Sequence, residues 1–177
     1  DMAFEQAMTG EEIDSAASVT MNEYLKKMMP GESHKYHLNV VKSEELNAFA
    51  LPNGEIVIYS KMLRHIKTDD ELSGLLSHEI SHVTNRHSMR LLCKSLSGYL
   101  LLSVMLNDVN GLMTIILDNA HNLQQLSFSR HYEEEADLSG LKILEQYNIN
   151  PKGMIDLFEI LQKENTINVP GFLDRKS

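Results

Sequence analysis

Residues 68–87, TDDELSGLLSHEISHVTNRH, have the pattern of one amphipathic helix on which the rest of the chain can be built. Thr68 and Glu71 form a capping-box pattern, and Asp69 and Asp70 place negative charge at the positive end of the helix dipole. Apolar residues recur at helical spacing and define a face for a core: Leu72, Leu75, Leu76, Ile80 and Val83. This stretch therefore predicts a buried, rigid helix that begins near Thr68.

His78, Glu79 and His82 occupy this helix in the spacing His-Glu-x-x-His. Residues four apart share one helical face, so the two imidazoles can bind a single metal ion. Glu79 is displaced around the helix, where it can act as the general base on a zinc-bound water. Such histidines are often ordinary packed residues, but all three residues in this spacing on a capped helix favour the metal hypothesis.

Composition limits the class of protein. The chain has 177 residues and 42% hydrophobic content, which predicts one domain with a real core. Its 25 acidic residues outnumber 16 basic ones, and the net charge of −9 argues against nucleic acid as a partner. Cys93 is the single cysteine, so it cannot form an intrachain disulfide, and its leucine neighbours predict a buried side chain. The longest apolar run, residues 99–106, is too short to cross a bilayer.

The order of the remaining elements predicts an α+β fold. Thr9 and Glu12 form another capping-box pattern, which predicts a first helix that ends at Pro30. Residues 35–42 predict a strand, and residues 47–60, NAFALPNGEIVIYS, predict a β-hairpin around a Pro-Asn-Gly turn. Helices are expected over residues 88–106, 112–126, 130–147 and 151–164. We therefore expect a mainly helical domain with a small sheet beside a helical bundle.

A catalytic zinc needs a third protein ligand in addition to two histidines. The metzincin pattern requires a histidine six residues after His82, but that position is Ser88, and His87 is out of register. We therefore expect His87 to be a hydrogen-bonding residue near the helix end. The related pairs Glu79-x-x-His82 and Asp118-x-x-His121 leave a dinuclear carboxylate bundle as a less favoured alternative.

The segment SRHYEEEAD, residues 129–137, is the best source of the third ligand. Asp137 shares a helical face with Glu133 and Glu134, so one glutamate could bind metal while Asp137 accepts an N–H from a ligand histidine. Ala136 would allow close approach of two helices. Spacing alone does not choose between the two glutamates, and a solvated acidic first turn needs no metal at all.

Taken in order, NAFALPNG, HEISH and SRHYEEEAD resemble the zinc metallopeptidases related to HtpX and the CAAX prenyl protease, especially their soluble bacterial members. The resemblance extends from about residue 47 to residue 151, and the downstream Glu-x-x-x-Asp element makes it specific. It implies a zincin-type fold and one zinc per chain, with His78, His82 and Glu133 as ligands, Glu79 as general base and Asp137 as the residue that orients a ligand histidine.

The resemblance also implies an endopeptidase that acts on unfolded or membrane-associated proteins in the cell envelope, in the periplasm or at an extracytoplasmic membrane surface. In that family the Asn-Ala-Phe strand borders the cleft, which implies that Ala48, Phe49 and Ala50 pair with an extended substrate. Plain sheet packing explains the strand equally well. A peptide-binding or chaperone-like module with little turnover is the alternative on the same zinc fold.

Two departures from the family pattern affect these expectations. Relatives continue to a His-Pro segment and a later Arg, whereas this chain reaches Ser177 at about that point. We therefore expect residues 1–177 to form one metallopeptidase domain without that segment, and we assign no oxyanion-stabilising residue. The integral-membrane relatives have spanning helices that this sequence does not show, so a prenylated substrate is not expected.

Overall fold

The computed structural model describes residues 12–91, 93–94 and 128–165. In chain order the elements are α1 (Ser15–Met28), a 3-10 turn (Ser33–Lys35), β1 (His37–Val41), β2 (Ala48–Ala50), β3 (Glu55–Tyr59), α2 (Ser60–His65), α3 (Asp69–Thr84), α4 (Arg130–Gln146) and α5 (Lys152–Asn165). The described residues are mainly helical with a small sheet, which confirms the predicted α+β class. The predicted helix over residues 112–126 and most of the one over 88–106 lie outside the described residues.

The sheet has three strands in the order β1-β3-β2. The antiparallel pair β2 and β3 confirms the predicted hairpin, and β1 joins β3 in parallel, with His37 opposite Glu55. Gly54 in the hairpin turn has φ of +92°, and a Cβ there would lie 2.5 Å from the carbonyl oxygen of Lys35. The turn therefore needs a glycine both for its backbone angle and for its approach to the chain before β1.

Helix α1 begins at Ser15, which corrects the prediction of a helix that starts at Thr9. The Asp14 side chain accepts a hydrogen bond from the Ala17 N–H and caps the helix. Ile13 and Asp14 are extended instead, and Ile13 pairs with Val41 across an isolated bridge. Pairing with the sheet therefore replaces the helical conformation predicted for these two residues; Thr9 itself lies outside the described residues.

Helix α3 is the centre of the fold, and its residues from Glu71 to His82 are all buried. Its start confirms the predicted cap: the Thr68 hydroxyl accepts from the Glu71 N–H at 3.2 Å. The Glu71 carboxylate accepts from the N–H of Lys67, one residue earlier than a standard capping box requires. The sheet, α4 and α5 all pack against this helix.

Small residues set the distance between α3 and its two neighbouring helices. A Cβ on Gly140 of α4 would lie 3.3 Å from the His78 backbone nitrogen, and Ala136 is fully buried on the same helix. On the other side, a Cβ on Gly153 of α5 would lie 2.2 Å from the carbonyl carbon of Asp70. The helices therefore approach to backbone contact, which fixes α4 against the motif on α3.

We expect Gly153→Ala to destabilise the protein by about 3 kcal/mol, because the new methyl group would collide with backbone that cannot rotate away. Gly31→Ala is the matched control: it adds the same methyl group in open space at φ of +92°, so only left-handed strain of about 1 kcal/mol is expected. Urea unfolding of both variants measures the difference. Equal losses would show that this close helix contact does not limit packing.

The predicted helix over residues 68–87 is broken before its end. Helix α3 stops at Thr84, Arg86 has the left-handed φ of 55°, and residues 87–91 and 93–94 are helical again. Cys93 is exposed, which corrects the prediction of a buried cysteine. The break redirects the chain, so Cys93 does not continue the buried face of α3. Among the described helices, none combines the length and hydropathy needed to span a membrane.

Candidate metal centre

Two helices that are remote in sequence bring three candidate metal ligands together. His78 and His82 lie one turn apart on α3, and Glu133 lies in the first turn of α4. Glu133 Oε2 is 3.4 Å from His78 Nε2, and Glu133 Oε1 is 4.0 Å from His82 Nε2. One ligand atom from each residue lies within 4.8 Å of the others, and both histidines are buried.

The donor set and its spacing fit a zinc ion. Ligand atoms bound at about 2.1 Å in tetrahedral geometry are about 3.4 Å apart, close to the separations between these three side chains. The two imidazoles face each other through Nε2 atoms 3.1 Å apart, and nitrogens this close need a proton or a cation between them. Two imidazoles and a carboxylate are also the protein ligands of a catalytic zinc, which keeps one position open.

Asp137 lies one helical turn after Glu133 and contacts the outer nitrogen of the first histidine. Its Oδ1 is 3.0 Å from His78 Nδ1, so an Nδ1–H of His78 can donate to it while Nε2 points to the metal position. Glu134, the alternative that spacing left open, is directed elsewhere: it is exposed and pairs with Arg130 at 3.3 Å. The structure thus brings Glu133 to the histidines and not Glu134.

Glu79 is buried beside the two histidines, with 2% of its surface exposed. Burial raises the pKa of Glu79 to about 7, with His78 opposing the rise and Glu133 adding to it. A carboxylate with this pKa exchanges protons near neutral pH, which suits a general base. The charge of a bound zinc ion would lower the pKa of Glu79 again and favour the form that accepts a proton.

The two histidines differ in their electrostatic surroundings. Burial lowers the pKa of His78, but hydrogen bonds to Asp137 and Glu133 outweigh it and raise that pKa to about 10. Burial and the charges of His78 and His87 lower the pKa of His82 to about 2. His82 is therefore the neutral partner, with a lone pair to offer, and the carboxylates around His78 supply negative charge that a cation would balance.

Aromatic rings pack against both histidines of the centre. Phe128 stacks on His82 with centroids 4.3 Å apart, and Phe158 of α5 meets His78 edge-on at 5.7 Å. Sequence reasoning missed both rings, because neither lies near the motif in the chain and a lone Phe has no distinguishing pattern. They restrict the rotation of both imidazoles and lower the local dielectric.

His87 is hydrogen bonded near the end of the helical stretch, as expected, but its partner was not foreseen. Its Nδ1 lies 2.9 Å from His82 Nδ1, and its ring stacks on Tyr132 with centroids 4.8 Å apart. The position of His87 in the sequence, five residues after His82, does not predict this contact. The backbone break at Arg86 is what brings the ring back to His82.

The strand that the resemblance connected with substrate lies at one edge of the sheet and packs against α3. Asn47 and Leu51 bond to β3 through their backbones, so by alternation the peptide groups of Ala48 and Ala50 face away from it. The Ala50 carbonyl accepts from the Ser88 hydroxyl at 3.2 Å. Phe49 points into a small apolar cluster with Tyr59, at a centroid distance of 6.0 Å.

No second metal cluster is seen in residues 12–91, 93–94 and 128–165, where the group of His78, His82 and Glu133 is the one found. Asp118 and His121, on which the dinuclear alternative depends, lie outside the described residues.

A motif helix with two convergent histidines, a glutamate from a second helix and a sheet edge beside them is the arrangement of a zinc metallopeptidase domain. Comparison with known proteins specifies the group. The family model "Peptidase family M48" matches residues 15–174, and the chain belongs to this family.

Two groups of curated relatives are similar to the chain. The beta-barrel assembly-enhancing protease of Yersinia pestis is 30% identical over 142 residues, which cover 73% of this chain and 29% of that protein. The mitochondrial metalloendopeptidase OMA1 of Schizosaccharomyces pombe is 32% identical over 127 residues, 71% of this chain and 37% of that protein. The chain thus spans less than two fifths of the length of these relatives.

Proposed function

We propose that this protein is a zinc-dependent endopeptidase, built as one metallopeptidase domain, that hydrolyses peptide bonds in unfolded or cell-envelope proteins. The convergence of His78, His82 and Glu133 on one point is the observation that carries the proposal. Membership of peptidase family M48 and the protease names of its relatives support the reaction class.

Each side chain of the centre has a distinct task in this proposal. His78, His82 and Glu133 would hold the ion, and zinc, when bound, supplies the Lewis acidity that activates water and polarises the scissile carbonyl. Glu79 takes the proton of the attacking water on its carboxylate and passes it to the leaving amine nitrogen. Asp137 holds the proton on Nδ1 of His78 and so keeps the Nε2 lone pair directed inward.

The substrate is proposed to bind as an extended strand along β2. The backbone N–H and C=O groups of Ala48 and Ala50 face away from β3, as strand addition requires. The buried side chain of Phe49 packs in the apolar cluster with Tyr59 and holds the strand in place. Because Ser88 already donates to the Ala50 carbonyl, the peptide group of Ala48 is the better candidate for pairing. We propose an envelope location, periplasmic or at an extracytoplasmic membrane surface, from the resemblance and from the name of the Yersinia relative.

Removal of the metal should abolish proteolysis of an unfolded probe such as reduced casein. We expect one zinc per chain by elemental analysis, loss of cleavage with 1,10-phenanthroline, and recovery when zinc is restored. Zinc should also raise the free energy of unfolding, by about 2.7 kcal/mol at a hundredfold excess over its dissociation constant. Two irons per chain, or cleavage that survives full removal of the metal, would contradict the proposal.

A further inference from the structure

His87 occupies a position that the zinc ligands alone do not explain. Its side chain is fully buried, although it follows the motif helix and belongs to no ligand set. Its Nδ1 lies 2.9 Å from the Nδ1 of His82, the nitrogen opposite the one that faces the metal position. On the other histidine, the equivalent outer nitrogen contacts Asp137 at 3.0 Å. Each imidazole of the centre thus has one partner on its outer side.

The chemistry of this contact fixes the protonation of both rings. A neutral imidazole carries one N–H and one lone pair, and His82 can offer Nε2 to a metal only if its proton is on Nδ1. That Nδ1–H must then donate to His87, so Nδ1 of His87 carries the lone pair. The proton of His87 is consequently on Nε2, directed away from His82.

A carboxylate that can accept a hydrogen bond from this Nε2–H lies next to it. His87 Nε2 lies 3.3 Å from Glu135 Oε2, which is within ion-pair distance, and this buried nitrogen has no regular hydrogen-bond partner in the described part of the chain. Arg90 holds the same carboxylate oxygen at 2.9 Å and lies over the Tyr132 ring at 4.6 Å. The contacts form a series from His82 through His87 and Glu135 to Arg90.

The backbone is arranged to make this chain possible. On an unbroken helix, residues five apart point about 140° away from each other, so His87 could not face His82 from a continuous α3. The left-handed residue Arg86, at φ of 55°, ends the helix and turns the chain back. A non-glycine residue in this region costs about 1 kcal/mol, and such strain is retained where the surrounding contacts require it.

We propose that His87 is a positioning residue for the zinc site: it accepts the Nδ1–H of His82, with Glu135 and Arg90 holding His87 in the required tautomer. The role matches that of Asp137 toward His78, but the acceptor here is a neutral imidazole, which in turn contacts the Glu135 carboxylate. The inference rests on the proposed zinc site, and it concerns residues that lie outside the pattern His-Glu-x-x-His and Glu-x-x-x-Asp.

Zinc affinity measured by competition with a chelator tests the proposal. We expect His87→Phe, which keeps a stacking ring but has no acceptor, to weaken zinc binding by about 10- to 100-fold. His87→Asn places an amide oxygen near the position of Nδ1 and should restore most of the loss. His131→Phe is the matched control, because it makes the same change at an exposed histidine of α4, and wild-type affinity is expected.

Nitrogen-15 spectra of the histidines in the zinc-loaded wild type supply a readout that does not depend on any variant folding. We expect His82 to be protonated on Nδ1 and His87 on Nε2. A proton on Nδ1 of His87, or equal zinc affinity in wild type and a folded His87→Phe, would overturn the proposal while leaving the zinc site intact. Failure of the wild type itself to bind zinc would instead overturn the proposed function.

Discussion

Glu79→Gln is expected to lower the rate of casein cleavage by roughly 100- to 10,000-fold while leaving zinc binding unchanged. Glutamine keeps the size and shape of the side chain but cannot accept a proton from the attacking water or return it to the amine. The side chain lies beside the donor atoms and contributes none of its own to the group of His78, His82 and Glu133. Loss of the charge should therefore lower turnover without changing the affinity for zinc.

Without zinc, the same variant should be at least as stable in urea as the zinc-free wild type. Burial raises the pKa of Glu79 to about 7, which shows that the folded protein disfavours its charged form, and a neutral amide avoids that cost. If stability and zinc content are retained, the lower cleavage rate can be assigned to the chemical step. Cleavage by Glu79→Gln at the wild-type rate would refute the mechanism, and binding of casein by both proteins with cleavage by neither would favour the peptide-binding alternative.

Glu133→Gln is expected to weaken zinc binding by about 100-fold or more, since each ligand of a zinc site contributes about 3 kcal/mol. An amide oxygen carries no charge and is a poorer ligand than a carboxylate. Glu134→Gln is the matched control, because it makes the identical change at the neighbouring residue, which is exposed and pairs with Arg130. Chelator competition should give wild-type affinity for Glu134→Gln.

The opposite order of these two affinities would show that the third ligand is Glu134 and that α4 is rotated relative to the arrangement described. Equal affinities in both variants and the wild type would exclude a carboxylate of this segment as a ligand. Either result would remove the observation that carries the proposed function.

The sequence was most informative where local rules decide the structure. The Thr68 cap, the buried apolar face of α3 and the hairpin around Gly54 depend on neighbours within a few residues, and all three were predicted. The meeting of α3 with the helix that carries Glu133 was indicated by the family resemblance. Spacing alone did not separate Glu133 from Glu134, because they lie four and three residues before Asp137 and either spacing places a residue on the same helical face.

The features that sequence reasoning missed depend on contacts between distant segments. The Thr9 pattern was a plausible cap, yet Ile13 pairs with Val41, so the helix starts later. The residues just before Arg86 contain no glycine or proline that would predict a break in the helix at this point. Without the break, His87 could not contact His82. The sequence also did not predict the close helix contact at Gly153, since a glycine early in a helix has no distinctive pattern.

A crystal structure of the zinc-loaded protein, with anomalous data collected at the zinc edge, tests the central claim most directly. We expect one zinc peak per chain within about 2.0–2.2 Å of His78 Nε2, His82 Nε2 and a carboxylate oxygen of Glu133. A zinc peak bound elsewhere, or one that contacts the two histidines while the Glu133 carboxylate points away, would contradict that claim.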